Sequence, residues 1–452
     1  MARSLGNRVR TMVGRRRAAS IAALAVGGSL LAACGGGSST GPVSITLYDQ
    51  PGSAAATQAN ADSCTKQSGG KYKIDYVKLP TAADQQRLQL VRRSAARDSS
   101  VDIMGLDVTW EAEFAEAGWI QPWEGANEAA AKKDQLAGPL ATATWNGKVV
   151  AIPYNSNTQL LWYRDDLVKT PPTTWQAMIS EAQALAGKKF TNKPNAVYPH
   201  YIEEQGAQYE GLTVWFNSMV ASAGGSILNK ASTSVALGQQ AVTALQTMAN
   251  LGKSSAADPS LSNFMEDTGR LAMEGGNAAF EINYPYVWPS MQSDNPKAAI
   301  APSGKAGPLK DHFKYAPFPS LVKGQSAHST IGGIDLAISK YTKHSALAFA
   351  AATCLADKPN QLVGATQGGL PPTLKSVYTN PAKDFVKMYP FYKLIFTQLQ
   401  AASVRPKTPA YQSVSIAIQH ALSPPNSINP TQALATLKSQ ISDALNSKGL
   451  VP

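Results

Sequence analysis

Short apolar runs alternate with longer amphipathic stretches in the first third of the chain. Residues 43–48, 72–77 and 101–106 are apolar runs bounded by turn formers, a pattern typical of buried strands. Residues 53–67 and 84–97 lie between these runs and are predicted to be helices. Strands that alternate with helices predict a parallel sheet covered by helices.

The pattern changes between residues 145 and 175. Two apolar runs, 149–152 and 160–163, flank a polar segment that contains Pro153, Asn155 and Asn157. This arrangement predicts a strand, a crossing and a second strand, followed by a helix that begins after the run PPTT at 171–174. We place the first hinge crossing in the polar segment.

The rest of the chain continues as helices and strands. The loop at 187–200 is polar and irregular, and the run GGLPP at 368–372 marks a further crossing. Helices are also expected to begin near Tyr411 and Thr431. The remaining elements predicted from periodicity are helices at 175–186, 213–223, 239–251, 261–274 and 345–355 and strands at 278–282 and 331–338.

The length of the chain predicts more than one core. At 452 residues it exceeds the size of one ordinary hydrophobic core, so two lobes are expected. We predict that residues 43–153 and 330–371 form lobe 1, and that residues 154–329 and 372–452 form lobe 2. An apolar content of 44% and a charged content of 16% are typical of a soluble globular protein.

The N-terminal segment resembles an export signal. A basic stretch with six arginines precedes the apolar residues 18–33, which end in the sequence LAAC at 31–34. This order is that of a bacterial lipoprotein signal, in which residues 1–33 are removed and Cys34 carries the lipid. An ordinary secretory signal or a short anchor helix is the alternative. The Gly/Ser-rich residues 34–42 are then a flexible tether that holds the protein at the outer face of a membrane.

Removal of that signal changes the charge of the chain. The full chain has 41 Lys+Arg and 30 Asp+Glu, and the signal contains six Arg and no acid, which leaves 35 against 30. A small excess without a basic run does not indicate nucleic-acid binding.

Several motifs resemble those of the carbohydrate-binding proteins of ABC importers, the family that includes maltose-binding protein. They are GK-x-x-A-x-P at 147–153, L-x-Y-x-x-D-L at 161–167, PPTTW at 171–175 and MEGGNAAF at 273–280. The resemblance implies a two-lobed, periplasmic-binding-protein-like α/β fold, in which each lobe is a sheet covered by helices and three crossings form the hinge. It also implies a monomer without a cofactor, which delivers its ligand to two permease subunits and a separate ATPase.

A sugar ligand requires hydrogen-bonding groups for its hydroxyls and flat aromatic surface for its CH faces. In open α/β sheets ligands lie at the carboxyl ends of strands, where Asp49, Gln50 and Asp107 are expected to project. Glycines allow backbone groups to approach a ligand closely. The other candidates are Gly332, Gly333 and Gly369 in lobe 1 and Asn157, Glu281, Asn283, Trp288 and Arg405 in lobe 2.

Most of these candidates have a purely structural alternative. Asp107 could cap the helix that follows it, and the glycines could serve turn geometry. Asn157 could be a hinge turn residue. Trp288 could belong to a packed core, and Arg405 could form a surface ion pair.

A closer resemblance concerns the ligand. Runs such as LDVTWEAEFAEAGW at 106–119, EGLTVWFNSMVASAGGSIL at 210–228 and VRPKTPAYQ at 404–412 resemble the trehalose-binding lipoproteins of actinobacterial importers. By motif, Asp107, Asn157, Glu281, Trp288 and Arg405 match the residues that contact the disaccharide in those proteins. The resemblance therefore implies trehalose or a related α-linked disaccharide as ligand, with another oligosaccharide or sugar derivative as the alternative.

Two cysteines remain if Cys34 is lipidated. Cys64 lies on the first predicted helix and Cys354 on a late one. Both positions fall in the same lobe of the family fold, and an oxidising exterior would allow a disulfide between them. Two buried thiols are the alternative.

Other functional classes have less support in the sequence. Asp107 and Glu281 could be the carboxylate pair of a glycoside hydrolase, but they come from opposite lobes without a nucleophile–base motif. The five histidines show no metal-ligand spacing such as HExxH. A peptide- or amino-acid-binding protein would require paired opposite charges in the cleft. We therefore expect a binding protein with no enzymatic activity and no metal.

Overall fold

The computed structural model describes residues 41–190, 193–292 and 308–448 of the protein. The predicted signal segment 1–33 and the predicted lipid-bearing Cys34 lie outside the described residues.

The strands alternate with helices along the chain, as the apolar pattern predicts. The strands are β1 (Val43–Asp49), β2 (Tyr72–Lys78), β3 (Ile103–Asp107), β4 (Thr144–Trp145), β5 (Lys148–Val149), β6 (Ile152–Thr158), β7 (Leu160–Arg164), β8 (Lys189–Phe190), β9 (Lys193–Val197), β10 (Tyr201–Glu203), β11 (Ala278–Asn283), β12 (Phe313–Ala316) and β13 (Ile331–Ile338).

The helices cover both faces of the sheets. They are α1 (Ala54–Gln67), α2 (Ala83–Ala95), α3 (Glu111–Glu116), α4 (Ala126–Lys132), α5 (Ala137–Thr142), α6 (Trp175–Leu185), α7 (Glu210–Ser222), α8 (Gln239–Lys253), α9 (Glu266–Glu274), α10 (Val287–Gln292), α11 (Leu309–His312), α12 (Ser345–Leu355), α13 (Lys358–Gly368), α14 (Lys375–Thr379), α15 (Lys383–Met388), α16 (Tyr392–Ala401), α17 (Tyr411–Leu422) and α18 (Pro430–Leu445), with 3-10 turns at Leu261–Asn263 and Pro425–Ser427.

The first sheet has the strand order β2-β1-β3-β13-β6 and forms the centre of the first lobe. β1 pairs in parallel with β2 and β3, whereas β13 is antiparallel to both β3 and β6. Because successive side chains of a strand point to opposite faces, Leu336 and Ile338 pack with α1 and α12, while Ala337 packs with Leu90 and Phe114.

The second sheet has the order β10-β11-β7-β12 and forms the centre of the second lobe. One of its faces carries Leu161, which packs with Trp175 and Trp215 of the flanking helices α6 and α7. The opposite face carries Leu160 and Trp162, which pack in a core with residues of α14, α15 and α16. The predicted fold class, α/β with each lobe a sheet covered by helices, is confirmed.

The first crossing differs in detail from its prediction. The polar residues 153–158 are not a loop, because Asn155, Ser156 and Asn157 pair with β13 in the first sheet. The chain therefore changes sheets at the buried Gln159, between β6 and β7. Polar residues can form this strand because the pairing satisfies their backbone groups and the two sheets bury their side chains.

Two other segments differ from their predictions. The predicted helix 261–274 is a 3-10 turn and a separate helix, α9, because Phe264 is extended and the backbone N–H of Met265 donates to Oγ1 of Thr268. The predicted irregular loop 187–200 contains the antiparallel strands β8 and β9. Cys64 and Cys354 are joined by a disulfide between α1 and α12. Within the described ranges, no helix is both long enough and apolar enough to cross a bilayer.

Candidate ligand-binding site between the two sheets

Two aspartates end neighbouring strands of the first sheet, as the sequence predicts. Asp49 is the last residue of β1, and Asp107 is the last residue of β3. Asp49 is buried, accepts a hydrogen bond from the backbone N–H of Gln50 at 2.8 Å and has no partner for Oδ2. Burial raises the pKa of Asp49 to about 7, although the hydrogen bond from Gln50 opposes the rise. One acceptor of this carboxyl is thus buried and unpaired.

Gln50 uses its side chain within its own turn. Its Nε2 donates to Oγ of Ser53 at 2.9 Å, and its Oε1 accepts from the backbone N–H of Gly52 at 2.6 Å. Both ends of the amide therefore hold the turn that leads into α1. A ligand contact by Gln50 stays a prediction, and it would require one of these bonds to be exchanged.

The glycines of β13 have a structural role in strand pairing, and their contact with a ligand stays a prediction. A Cβ at Gly332 would lie 2.3 Å from Oδ1 of Asn157, and a Cβ at Gly333, which has φ +140°, would lie 2.2 Å from the carbonyl oxygen of Asn155. The missing side chains therefore allow β6 and β13 to pair closely. They also leave room for Asn157, whose Oδ1 is buried without a hydrogen-bond partner.

Gly369 lies where the chain crosses between the lobes for the third time. It ends α13 in the left-handed region with φ +70°, and a Cβ there would lie 3.1 Å from Cβ of Tyr286 in the second lobe. A Cβ at Gly368 would lie 2.9 Å from Cβ of Ser53 in the first lobe. The two glycines are thus in close contact with both lobes.

Arg405 joins the two lobes. Its Nη2 donates to Oδ1 of Asp107 at 3.1 Å, and its Nη1 donates to Oε1 of Glu210 in α7 at 2.7 Å. Arg405 is 5% exposed, and its Nε has no partner. It therefore does not form the surface ion pair that was the structural alternative. Asp107 also accepts from Oγ1 and the backbone N–H of Thr109, so it holds the turn before α3, whose N-cap residue is Trp110 and not Asp107.

Glu281 and Asn283 lie together at the end of β11. The Nδ2 of Asn283 donates to Oε1 of Glu281 at 2.7 Å and to the carbonyl oxygen of Glu266 at 2.9 Å. Glu281 is 1% exposed, and its Oε2 has no partner. Burial raises the pKa of Glu281 to about 8, although the hydrogen bond from Asn283 opposes the rise.

Trp288 belongs to an aromatic cluster on one face of the second sheet. Its ring stacks with Trp162 at 6.4 Å and with Phe313 at 6.2 Å, and it meets Tyr315 and Phe391 edge to face. Trp288 is thus packed against a core of aromatic rings, which was the structural alternative for this residue. Trp288 is only partly buried, and its contact with a ligand stays a prediction.

The structure adds residues that the sequence did not single out. Glu204 and Gln205 follow β10, and both side chains are buried. Oε2 of Glu204 and both amide atoms of Gln205 have no partner, and burial raises the pKa of Glu204 to about 8. Their position after a strand is the same signal that indicates Asp49 and Asp107, but the sequence does not predict the strand β10 that precedes them.

Polar atoms without partners therefore occur on both lobes near the crossings. Among the described residues they include Oδ2 of Asp49, Oδ1 of Asn157, Oε2 of Glu281, the amide of Gln205 and Nε of Arg405. Each such buried atom costs about 1–3 kcal/mol unless something pairs with it. A ligand with several hydroxyls can donate to the acceptors and accept from the donors.

The one group of potential metal ligands among the described residues involves none of these atoms. It consists of Asp165, Asp166 and His312. Oδ1 of Asp165 is hydrogen-bonded to Nδ1 of His312 at 2.8 Å. Asp166 forms an ion pair with Arg164 at 2.7 Å. These partners account for the group without a metal ion.

Two helix-covered sheets joined by three crossings define a two-lobed α/β protein. Comparison with solved structures supports this fold. The maltose-bound MalE3 of T. maritima has a TM-score of 0.75 and 25% sequence identity, over 88% of this chain and 99% of that chain. The GacH receptor of Streptomyces glaucescens, solved with and without acarbose, has a TM-score of 0.72 and 20% identity, over 90% and 99% of the two chains.

The sequence comparisons define the family. Residues 50–362 match the model of the bacterial extracellular solute-binding proteins, and the chain belongs to this family. A relative from Deinococcus radiodurans, described as a probable ABC transporter-binding protein, is 29% identical over 396 residues, which are 84% of this chain and 88% of the relative.

Proposed function

We propose that the protein captures trehalose, or a related α-linked disaccharide, and delivers it to an ABC importer. The observation that carries the proposal is the set of unpaired polar atoms buried on both lobes, among them Oδ1 of Asn157, Oε2 of Glu281 and Nε of Arg405. A disaccharide between the lobes would pair with these atoms and would place a CH face on the accessible part of Trp288. Its extra affinity for the closed form would hold the lobes together.

The chemistry of the relatives supports a saccharide. The MalE3 structure contains maltose, and the GacH receptor was solved with acarbose. The description of the Deinococcus relative supports a transporter partner. In this proposal, two membrane permease subunits receive the sugar and a separate ATPase drives its transport. Capture, and not hydrolysis, is the function of the site.

Calorimetry with a sugar panel tests the proposal. Trehalose, maltose, glucose and a dipeptide would be titrated separately into the folded chain from residue 41 onward. Three or four hydrogen bonds to charged groups, offset by ordering costs, correspond to a dissociation constant of about 1 μM. Binding of another saccharide in place of trehalose would change the ligand but keep the class. Absence of heat with every saccharide would overturn the proposed function.

The membrane anchor is a second part of the proposal. Lipid on Cys34 would tether the folded lobes through residues 35–42 at the outer face of the cell membrane. Replacement of Cys34 by Ser in the full chain should move the protein from the membrane fraction to the soluble fraction. A Cys34→Ser protein that stays in the membrane fraction would contradict the lipid anchor.

A further inference from the structure

Arg405 is held from three sides by side chains of both lobes. Glu210 accepts from its Nη1 at 2.7 Å, Asp107 accepts from its Nη2 at 3.1 Å, and the ring of Tyr411 lies 6.0 Å from its Cζ. Glu210 is in α7 and Tyr411 is in α17, both in the second lobe, whereas Asp107 ends β3 in the first. Arg405 thus bridges the lobes through its two terminal nitrogens.

Three protein donors surround the carboxylate of Glu210. Its Oε1 accepts from Arg405 and from the hydroxyl of Tyr411, and its Oε2 accepts from Oγ of Ser415 at 2.5 Å. Three donors around one carboxylate fix its orientation, and a fixed carboxylate fixes the guanidinium that donates to it. Both oxygens of Glu210 already accept from protein groups, so we expect its effect on a ligand to pass through Arg405.

The chain around Arg405 also contacts the first lobe. Lys407 donates to the carbonyl oxygen of Ala141 at 2.6 Å, and Nε2 of Gln412 donates to Oδ1 of Asp84 at 2.9 Å. These bonds place the backbone of the segment, but they do not set the rotamer of Arg405. The long arginine side chain loses much rotational freedom when it is fixed in one rotamer, so it requires a partner in its own lobe.

We propose that Glu210 is the positioning residue of the ligand site, which holds Arg405 so that Nη2 reaches Asp107 and Nε–H faces the ligand. The assignment of Nε–H to the ligand rests on the proposed sugar-binding function. The placement of Arg405 by Glu210 does not. Because both residues belong to the second lobe, their ion pair can persist when the lobes separate, and Arg405 then meets Asp107 on closure.

The test combines a double-mutant cycle with a measurement that needs no ligand. Glu210→Gln keeps the shape of the side chain but removes its charge, so trehalose affinity should fall about 10–100-fold. In the Arg405→Ala background the same change should alter affinity by less than about twofold, because the side chain that Glu210 positions is absent. The Nε–H signal of Arg405 in 15N–1H spectra, assigned by its loss in Arg405→Lys, should be sharp in the parent and broadened in Glu210→Gln.

A matched control separates positioning from stability. Asp166→Asn removes the carboxylate partner of Arg164, a buried arginine of the second lobe whose ion pair measures 2.7 Å. This variant should lower the melting temperature and leave sugar affinity within about twofold, because Arg164 is not among the site residues.

Each outcome decides a separate point. An equally sharp Arg405 signal in Glu210→Gln, or equal and additive losses of affinity in both backgrounds, would overturn the positioning role. A parent protein that binds no saccharide would overturn the proposed function, while the Arg405 signal would still decide whether Glu210 positions that side chain.

Discussion

The amide of Asn283 donates a hydrogen bond of 2.7 Å to Oε1 of Glu281 and leaves Oε2 of that carboxyl buried without a partner. With a pKa of about 8, Glu281 is mostly protonated at neutral pH and can donate as well as accept. A neutral amide reproduces both abilities, whereas a methyl group reproduces neither.

We therefore expect two substitutions of Glu281 to differ in their effect on trehalose affinity. Glu281→Ala should weaken trehalose binding about 10–100-fold, because the ligand loses a buried partner. Glu281→Gln should keep affinity within about fivefold, because it resembles the protonated acid. Calorimetry at pH 7 measures both, with melting temperatures expected to change little. Equal affinity in Glu281→Ala and the parent would remove Glu281 from the site.

Stability should fall as the pH rises through the neutral range. Burial raises the pKa of Glu281 and Glu204 from 4.5 to about 8 and that of Asp49 from 3.8 to about 7. The folded state therefore holds protons that the unfolded state has already released, so the free energy of unfolding decreases between about pH 3.8 and pH 8. Below this window the contribution of these groups is complete, and above it the loss is complete.

Thermal melts of the ligand-free protein at constant ionic strength measure this pH dependence. The double variant Glu204→Gln and Glu281→Gln should have a flatter profile, because it lacks two of the titrating groups. A melting temperature that rises across the window in the parent protein would show that these carboxyls are ionised in the folded state.

Replacement of Trp288 separates a sugar-binding surface from a packed ring. Trp288→Ala should lower both the melting temperature and the affinity, the latter about tenfold, because the ring packs with four aromatic neighbours and stays partly accessible. Phe385→Leu is the control, since Phe385 is buried in the same core and its recorded ring partners are Tyr378, Tyr389 and Tyr392. It should lower stability alone. Unchanged affinity in Trp288→Ala would leave packing as its only role.

The third crossing offers a matched pair of glycines. Gly369 and Gly187 have φ +70° and +78°, but a Cβ at Gly369 would press on Tyr286, whereas a Cβ at Gly187 meets nothing within 4 Å. Alanine should cost about 1–2 kcal/mol of backbone strain at either position. Only Gly369→Ala should also reduce sugar affinity, by about threefold or more, because it adds a contact where the lobes meet. Equal sugar affinities in the two variants would show that the conformation at Gly369 does not affect lobe closure.

The local elements were predictable where the chain's own periodicity decides them. The order β1-α1-β2-α2-β3 follows from apolar runs and turn formers, and Asp49 and Asp107 follow from strand ends. Arg405 was identified by resemblance, but its bond to Glu210 joins residues far apart in the chain. No local pattern contains that information, because the contact depends on how distant segments of the chain pack together.

The glycines show a similar limit. Gly332 and Gly333 are recognisable as special positions, but their reason lies in the partner strand β6, which read as a loop because its residues are polar. Glu204 and Gln205 lie outside every element that the sequence predicts. Their burial follows only from the assembled sheets, so sequence identified one part of the site and tertiary packing supplied the rest.

The position of β13 in the first sheet also bears on when the protein can fold. This strand lies between β3 and β6, yet it comes from residues synthesised long after both. A nascent chain that ends before Ile331 has no partner for the inner edges of those strands, and the long loop to be closed delays their pairing. The first sheet therefore cannot be completed until the chain has been synthesised past Ile338, so most of the molecule must be made before its first lobe has a finished centre.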